Sequence, residues 1–149
     1  MCTVIIGNKA GDHLLIKVSG CTDITKRTDY YDGNWLSTEI HISLGAFTGH
    51  ITDDDVSLRT TEFKSFLTQI EPLYESLKGT AEYASLVGLF EFRIQGDGLG
   101  HFTAEGFVID NHREGNKLNF SIHFDQTSLP QTISSLKELL EKYPVVGKP

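Results

Sequence analysis

TEFKSFLTQIEPLYESL, residues 61–77, is the segment around which we expect the rest of the chain to fold. Its apolar side chains recur at three- and four-residue steps, so they share one face of a helix. These residues are Phe63, Phe66, Leu67, Ile70, Leu73, Tyr74 and Leu77. The stripe keeps its phase past Pro72, which predicts one helix, kinked near residues 68–72, instead of two helices. An apolar face of this kind needs a sheet to cover it.

Segments on both sides of this helix alternate in polarity, as β-strands do. Residues 2–6 and 14–18 are rich in residue types that favour β-strands, and turn residues separate them. This pattern predicts an N-terminal hairpin. Residues 39–44 alternate in the manner of a half-buried strand. After the helix, residues 81–109 and 118–124 show the same alternation, interrupted by glycine-rich and polar turns. These segments predict a meander of antiparallel strands.

A second helix is predicted at the C-terminal end of the sequence. Ser128, followed by Pro130, is typical of a helix start, and an apolar stripe continues to Tyr143. We therefore predict an α+β fold in a single domain spanning residues 1–149. It contains one antiparallel sheet of about six to eight strands, packed on the long central helix with the C-terminal helix beside it.

The composition limits the kinds of partner that we expect. The chain has 149 residues and a formal net charge of −7. Nucleic acid is a poor partner for such a chain, because phosphate binding depends on clustered lysine and arginine. A basic protein is favoured instead, because opposite charge accelerates encounter. The composition leaves open whether the protein is a monomer or a homodimer.

The expected compartment is the cytoplasm. The N-terminal sequence lacks the basic segment and apolar run of a signal peptide, and no stretch approaches the roughly 20 apolar residues of a membrane span. Cys2 and Cys21 are the two cysteines, and we expect both to be reduced in this compartment. A disulfide between them is the less favoured alternative, if the first two strands pair.

No motif in the sequence predicts catalysis, a cofactor or a metal site. The six histidines are not arranged with the spacing of a known metal motif. The best candidate set requires its strands to be neighbours in the sheet, and a solvated polar sheet face is the favoured interpretation. The members of that set are Glu39, His41, Glu91, His123 and Asp125.

Two short segments are candidates for a partner surface. Tyr30, Tyr31 and Trp35 form an aromatic group, and aromatic side chains with polar atoms are favoured at protein interfaces. The same residues are equally suited to packing at the edge of the core, which is the interpretation that residue chemistry favours. The acidic run Asp53, Asp54 and Asp55 precedes the central helix and is expected to be a solvated loop that attracts a basic partner.

DYYDGNWL, residues 29–36, resembles the WapI-type immunity proteins of bacterial polymorphic toxin systems. The resemblance continues through LYESLKGTAEY at 73–83, through the surroundings of Gly100 and Phe102, and through NFSIHFDQTSL at 119–129, and it closes at YPVVG, residues 143–147. It thus covers most of the chain in the expected order. The polar or aromatic positions that match are Asp29, Asn34, Trp35, Asp125 and Gln126.

This resemblance implies a small cytoplasmic α+β protein that silences a cognate toxin domain by binding to it, with no catalysis and no cofactor. Short polar side chains at turns commonly bond to the backbone, so we interpret Asp125 and Gln126 as structural. The alternative function is a binding module for an apolar or aromatic small molecule near Tyr30, Trp35 and Tyr74. That alternative requires a cavity of roughly 300 Å³ or more beneath the central helix.

Overall fold

The structure is a computed structural model of the chain and describes residues 1–52 and 57–149. Within these residues the fold is α+β, with two antiparallel sheets and two α-helices. The elements follow one another as a set of strands, a helix, a second set of strands and a second helix.

The N-terminal sheet has the strand order β1-β2-β3-β4. Its strands are β1 (Cys2–Gly7), β2 (His13–Cys21), β3 (Trp35–Leu44) and β4 (Phe47–Ile51). The predicted N-terminal hairpin is confirmed, because β1 and β2 pair antiparallel with Val4 opposite Ile16. A short strand, β5 (Leu58–Arg59), pairs with the beginning of β3. The half-buried strand predicted at residues 39–44 corresponds to the second half of β3, where buried and partly exposed residues alternate.

The central helix α1 (Thr60–Ser76) follows β5 directly and runs as one helix with Pro72 inside it. Its apolar stripe is buried against the second sheet: the ring of Phe66 lies 6.1 Å from that of Tyr83 and 5.2 Å from that of Phe92. Gln69 completes this docking, because its side chain accepts a hydrogen bond from the backbone N of Glu82 (2.9 Å) and donates one to the backbone O of Glu82 (3.3 Å). α1 thus covers the first strands of the sheet that follows it.

The C-terminal sheet has the order β6-β7-β8-β9, a simple meander. Its strands are β6 (Lys78–Ala84), β7 (Phe90–Asp97), β8 (His101–Ile109) and β9 (Lys117–Asp125). The helix α2 (Leu129–Lys142) follows, with Pro130 in its first turn as predicted. α2 does not stay with its own sheet; it packs against β1, where the Thr132 hydroxyl donates a 2.6 Å hydrogen bond to the carbonyl of Ile5.

The two halves share one buried cluster of apolar side chains, to which both sheets and both helices contribute. α1 and α2 lie side by side, and Lys137 of α2 reaches Glu71 of α1 at 3.5 Å. The sheets also approach each other directly: a Cβ added to Gly7 at the end of β1 would lie 2.9 Å from Ile122 of β9.

The prediction of a single sheet on one central helix was wrong. The strands divide into two sheets. α1 follows the N-terminal sheet and packs against β6, the first strand of the C-terminal sheet, whereas α2 follows the C-terminal sheet and packs against β1. The division has a physical reason: α1, with 17 residues, separates its ends by about 25 Å. After such a helix β6 cannot pair with β5 as a hairpin partner would, and it begins a new sheet.

Candidate functional site

The loop before β3 contains the first resembling motif, and Asp29 fixes its shape. One oxygen of the Asp29 carboxylate accepts hydrogen bonds from the backbone N of Tyr31 and of Asp32, each at 2.8 Å. The backbone carbonyl of Asp29 accepts a further bond from the N of Gly33, also at 2.8 Å. Asp29 therefore acts on the conformation of this loop, which is the usual role of an aspartate at a turn.

Asn34 connects the same loop to the C-terminal end of the chain. Its side chain is 1% exposed, and its amide nitrogen donates to the carbonyls of Tyr30 (2.7 Å) and Val146 (3.1 Å). Its amide oxygen accepts a hydrogen bond from the N of Val146 at 2.9 Å. Residues 29–36 and 143–147, two of the segments on which the resemblance rests, are thus in direct contact.

The three aromatic residues of the predicted partner surface have different surroundings. Tyr31 is 61% exposed, and its ring meets that of Tyr30 edge-on at 5.3 Å. Trp35 is half-buried, and the guanidinium of Arg59 lies 5.4 Å from the centre of its ring. Tyr31 is therefore the member of this group that is presented to solvent, whereas Trp35 is partly covered and contacts Arg59 of β5.

A second exposed apolar side chain, Ile24, lies a few residues before this loop in the sequence. Ile24, in a short 3-10 helix (Ile24–Lys26), is 80% exposed. Lys26 joins this helix to the loop through a 3.2 Å ion pair with Asp32, whose carboxylate raises the pKa of Lys26. Ile24 and Tyr31 thus belong to one segment that is fixed at several points. Asp53, Asp54 and Asp55, the other part of the predicted surface, lie outside the described residues.

A buried carboxylate, which the sequence did not single out, lies beside this segment. The Glu62 side chain accepts hydrogen bonds from the backbone N (2.9 Å) and Nε (3.2 Å) of Arg59, from the hydroxyl of Tyr83 (3.0 Å) and from the N of Leu86 (2.8 Å). Burial, and then the negative charge of Glu62, raises the pKa of Tyr83 well above its usual value. In the sequence Glu62 is simply an acid in the first turn of a helix; its four donors come from three separate elements.

The predicted ligand residues line two different clefts. Tyr30 lies at a cleft of about 370 Å³ with Arg59, Glu62 and Gln69. Tyr74 lies at a groove of about 420 Å³ between α1 and α2, together with Pro130 and Ile133. The inner face of α1 is filled by its own apolar side chains, since Phe63, Phe66 and Ile70 are at most 1% exposed.

Asp125 and Gln126 lie at the junction between β9 and α2, far from the loop in sequence. The Asp125 carboxylate accepts hydrogen bonds from the hydroxyl of Thr127 and from its backbone N (2.9 Å), and these bonds lower the pKa of Asp125. The N of Gln126 donates to the carbonyl of Gly100 at 2.8 Å. These contacts are those expected if both residues shape the connection between strand and helix.

The outer face of the C-terminal sheet forms an open groove of about 690 Å³. Charged and imidazole side chains line it: Arg93, Asp97, His101, Glu105, His123 and Asp125. His101 pairs with Asp97 at 3.0 Å, and hydrogen bonds from the backbone of Leu99 and His101 lower the pKa of Asp97. The groove therefore presents mixed charge on a solvated sheet face.

The polar set considered for a metal separates between the two sheets. Glu39 and His41 are on β3, whereas Glu91, His123 and Asp125 are on β7 and β9. His50, which is not in the predicted set, joins the first pair from β4. The ligand atoms of Glu39, His41 and His50 all lie within 4.8 Å of one another.

Both cysteines are free thiols, with Cys2 buried opposite Val18. Cys21 accepts a hydrogen bond from the guanidinium of Arg27. Neither helix of the described residues has the length and hydropathy of a membrane-spanning segment.

Two solved structures match the chain over most of its length. The MRP1/MRP2 crystal structures of Trypanosoma brucei match at a TM-score of 0.50 and 13% identity, covering 94% of this chain and 83% of that one. The plant transcriptional regulator PBF-2 matches at a TM-score of 0.45 and 13% identity, over 94% of this chain and 82% of the other. At 13% identity the likeness to the MRP1/MRP2 structures concerns the fold alone.

No curated protein matches the chain. The family model described as the immunity protein WapI-like family matches residues 5–144, nearly the whole chain. This range includes the five polar or aromatic positions of the resemblance, from Asp29 to Gln126, and ends within its last segment, residues 143–147. The chain therefore belongs to the WapI-like immunity protein family.

Proposed function

We propose that this protein neutralises a toxin by binding to it directly, without catalysis and without a cofactor, in the cytoplasm. The observation that carries the proposal is the family match over residues 5–144. A protein that inhibits by binding must present a surface complementary to its target. The proposal therefore needs a candidate surface and a partner chemistry.

The surface that we propose is centred on Tyr31 and Ile24 and includes the partly buried Tyr30 and Trp35 of the same loop region. Exposed apolar and aromatic side chains supply much of the energy at protein interfaces, provided that little entropy is lost when they bind. Tyr31 meets this condition because Asp29 fixes its backbone N at 2.8 Å. The loop is further held through Asn34 to Val146 at 2.9 Å. The segment is thus organised before the partner arrives.

The partner that we propose is a basic toxin domain. A formal net charge of −7 favours encounter with a positively charged surface, and the acidic run 53–55 would contribute to that field. The charge governs the rate of encounter, whereas the aromatic segment governs how long the complex lasts.

The experiment that tests neutralisation is a titration of toxin activity. Each candidate toxin domain found in the adjacent reading frames is purified, and its activity is measured while the full immunity chain is added. Stoichiometric binding predicts that inhibition is complete at a fixed molar ratio and that the toxin is recovered active after denaturing separation. Inhibition by catalytic amounts of the chain, or a toxin that stays inactive after separation, would overturn the binding mechanism.

The proposed surface is tested by replacing Tyr31 with alanine. Tyr31→Ala should weaken the complex by about tenfold or more, because an aromatic contact of this kind is typically a large contributor. Phe47→Ala is the matched control, since Phe47 is an aromatic residue of similar exposure, 68%, on β4. Isothermal titration calorimetry gives both affinities. Equal affinities for the two variants would exclude the Tyr31 surface and leave the outer groove of the C-terminal sheet as the next surface to test.

The small-molecule alternative has less support from the geometry. It required Tyr30, Trp35 and Tyr74 to converge, and Tyr30 and Tyr74 line separate clefts. The groove at Tyr74 is the place where an apolar ligand would be sought if no toxin partner binds.

A further inference from the structure

The outer face of the N-terminal sheet contains a group of three side chains that the proposed function does not use. Glu39 and His41 are two residues apart on β3, so they share one face of the strand. His50 on β4 is the residue directly opposite His41 in the antiparallel register. The pairing of β3 with β4 therefore places one carboxylate and two imidazoles together.

Both histidine side chains approach the same carboxylate oxygen of Glu39. Glu39 Oε2 lies 3.1 Å from His41 Nε2 and 3.4 Å from His50 Nε2. The two imidazole rings are stacked, with centroids 4.0 Å apart and planes inclined at 19°. Both rings thus present Nε2 on the same side.

A lysine on the neighbouring strand is placed to form an ion pair with Glu39, but the two side chains do not pair. Lys17 on β2 is directly opposite Glu39 in the register. Both residues lie in the described part of the chain, and they form no ion pair with each other. The carboxylate instead contacts His41 on its own strand and His50 on β4, the neighbour of β3 on the side away from β2.

We propose that Glu39, His41 and His50 bind one divalent transition-metal ion of the zinc class. Zn–N bonds of about 2.0–2.1 Å and Zn–O bonds of about 2.0–2.2 Å place neighbouring ligand atoms of a tetrahedral site about 3.3–3.5 Å apart. The two measured oxygen–nitrogen separations, 3.1 and 3.4 Å, are close to that spacing. Two imidazoles and one carboxylate form a ligand set that suits zinc, nickel or copper better than magnesium or calcium.

The site is open on its solvent side. The His50 side chain is 52% exposed, so its ring can turn about χ2 and aim Nε2 at a shared ion. A water molecule would occupy the fourth position, as in zinc sites with three protein ligands. Because β4 is the last strand in the order β1-β2-β3-β4, the ion would fasten this terminal strand to β3.

The test is a metal titration of the full chain, untagged and treated with a chelator beforehand. Zinc chloride is added in competition with a chromophoric chelator, which gives the affinity and the number of ions bound. We expect one ion per chain, bound at least tenfold more weakly after either His50→Gln or Glu39→Gln. His123→Gln is the matched control, because His123 is an exposed histidine on the outer face of the other sheet, and it should bind as the wild type does.

A second readout separates specific binding from general binding to surface histidines. In a ¹H–¹⁵N spectrum of the histidine rings, one equivalent of zinc should shift the signals of His41 and His50 and leave those of His101 and His112 unchanged. The thermal midpoint should also rise with zinc in the wild type and in His123→Gln, and not in His50→Gln. Equal affinity in His50→Gln and His123→Gln, or shifts spread evenly over all the histidines, would overturn the proposal.

Discussion

Two buried polar side chains, Asn34 and Glu62, join parts of the chain that are distant in sequence. Asn34 holds Val146, which is 112 residues further along the chain. Glu62 gathers donors from β5, from β6 and from the turn after β6. Buried polar groups of this kind are costly unless all their hydrogen bonds are made, so each should be sensitive to substitution.

Asn34→Ala should destabilise the protein by about 2–4 kcal/mol, because the change leaves partly buried backbone groups of Val146 and Tyr30 without their hydrogen-bond partners. Urea unfolding measures the effect as a lower midpoint at an unchanged m-value. Asn119→Ala is the control, since Asn119 is exposed on β9, and it should change stability by no more than about 0.5 kcal/mol. If the two variants were equally stable, Asn34 would not be what holds the C-terminal segment.

Tyr83 should make stability depend on alkaline pH. Burial raises the pKa of Tyr83 in the folded state, whereas the unfolded chain releases this proton near pH 10. The contribution is therefore complete below pH 10 and is lost as the pH rises from there towards the folded pKa. The additional slope should approach about 1.4 kcal/mol per pH unit.

Tyr83→Phe removes this titration. The variant should be less stable at neutral pH by about 1 kcal/mol, since it loses the hydrogen bond to Glu62, and the difference from the wild type should shrink above pH 10. Urea unfolding at pH 8, 10 and 11 measures the gap, with Tyr31→Phe as the control at an exposed tyrosine. A gap that stays constant across this range would contradict the assignment.

Among the strands, β8 depends on a close approach to β7. Gly106 lies opposite Phe92, and a Cβ at this position would be 2.0 Å from the carbonyl oxygen of Glu91 and 2.6 Å from the Cα of Phe92. These are backbone atoms, so a side chain can be accommodated only if the two strands move apart.

Gly106→Ala should therefore cost about 2 kcal/mol or more. Gly20→Ala in β2 is the matched control, because a Cβ at Gly20 has no atom within 4 Å among those described. That control should be neutral or slightly stabilising, as expected when alanine fits the backbone conformation. Thermal unfolding of the two variants tests this prediction. Similar unfolding midpoints would mean that β8 moves away from β7 at little cost in free energy.

For the molecule as a whole, charge should control the rate at which the proposed partner is met. Replacing Asp53, Asp54 and Asp55 by lysine should slow association by about tenfold at low salt, and the effect should fade as ionic strength rises. Stopped-flow kinetics with the purified toxin domain measure the rate.

A second triple variant makes the same change of net charge elsewhere. Glu75, Glu138 and Glu141 are exposed on the two helices, and their replacement by lysine provides this control. Slower association in the first variant alone would place the steering charge at residues 53–55. An equal effect in both would mean that net charge acts regardless of position.

The candidate site could be predicted in part from local sequence. Asp29, Asn34 and Trp35 stand together in one motif, and the aromatic group beside them can be recognised from the sequence. The partners of these residues are not visible there: Val146 for Asn34 and Arg59 for Trp35 come from other elements. His50 likewise joins Glu39 and His41 only through the register of β3 with β4. Such contacts depend on how distant segments pair, and no local pattern contains that information.

The fold, too, could be predicted only in part from local sequence. Periodicity of 3.6 or 2 residues is a property of neighbouring residues, so the sequence alone established α1, α2, the N-terminal hairpin and the α+β class. It did not establish that the strands form two sheets, because alternation marks the buried face of a strand and leaves its neighbours undefined. That choice follows from the separation of β5 and β6 by a 17-residue helix and from the burial gained when each helix crosses to the other sheet.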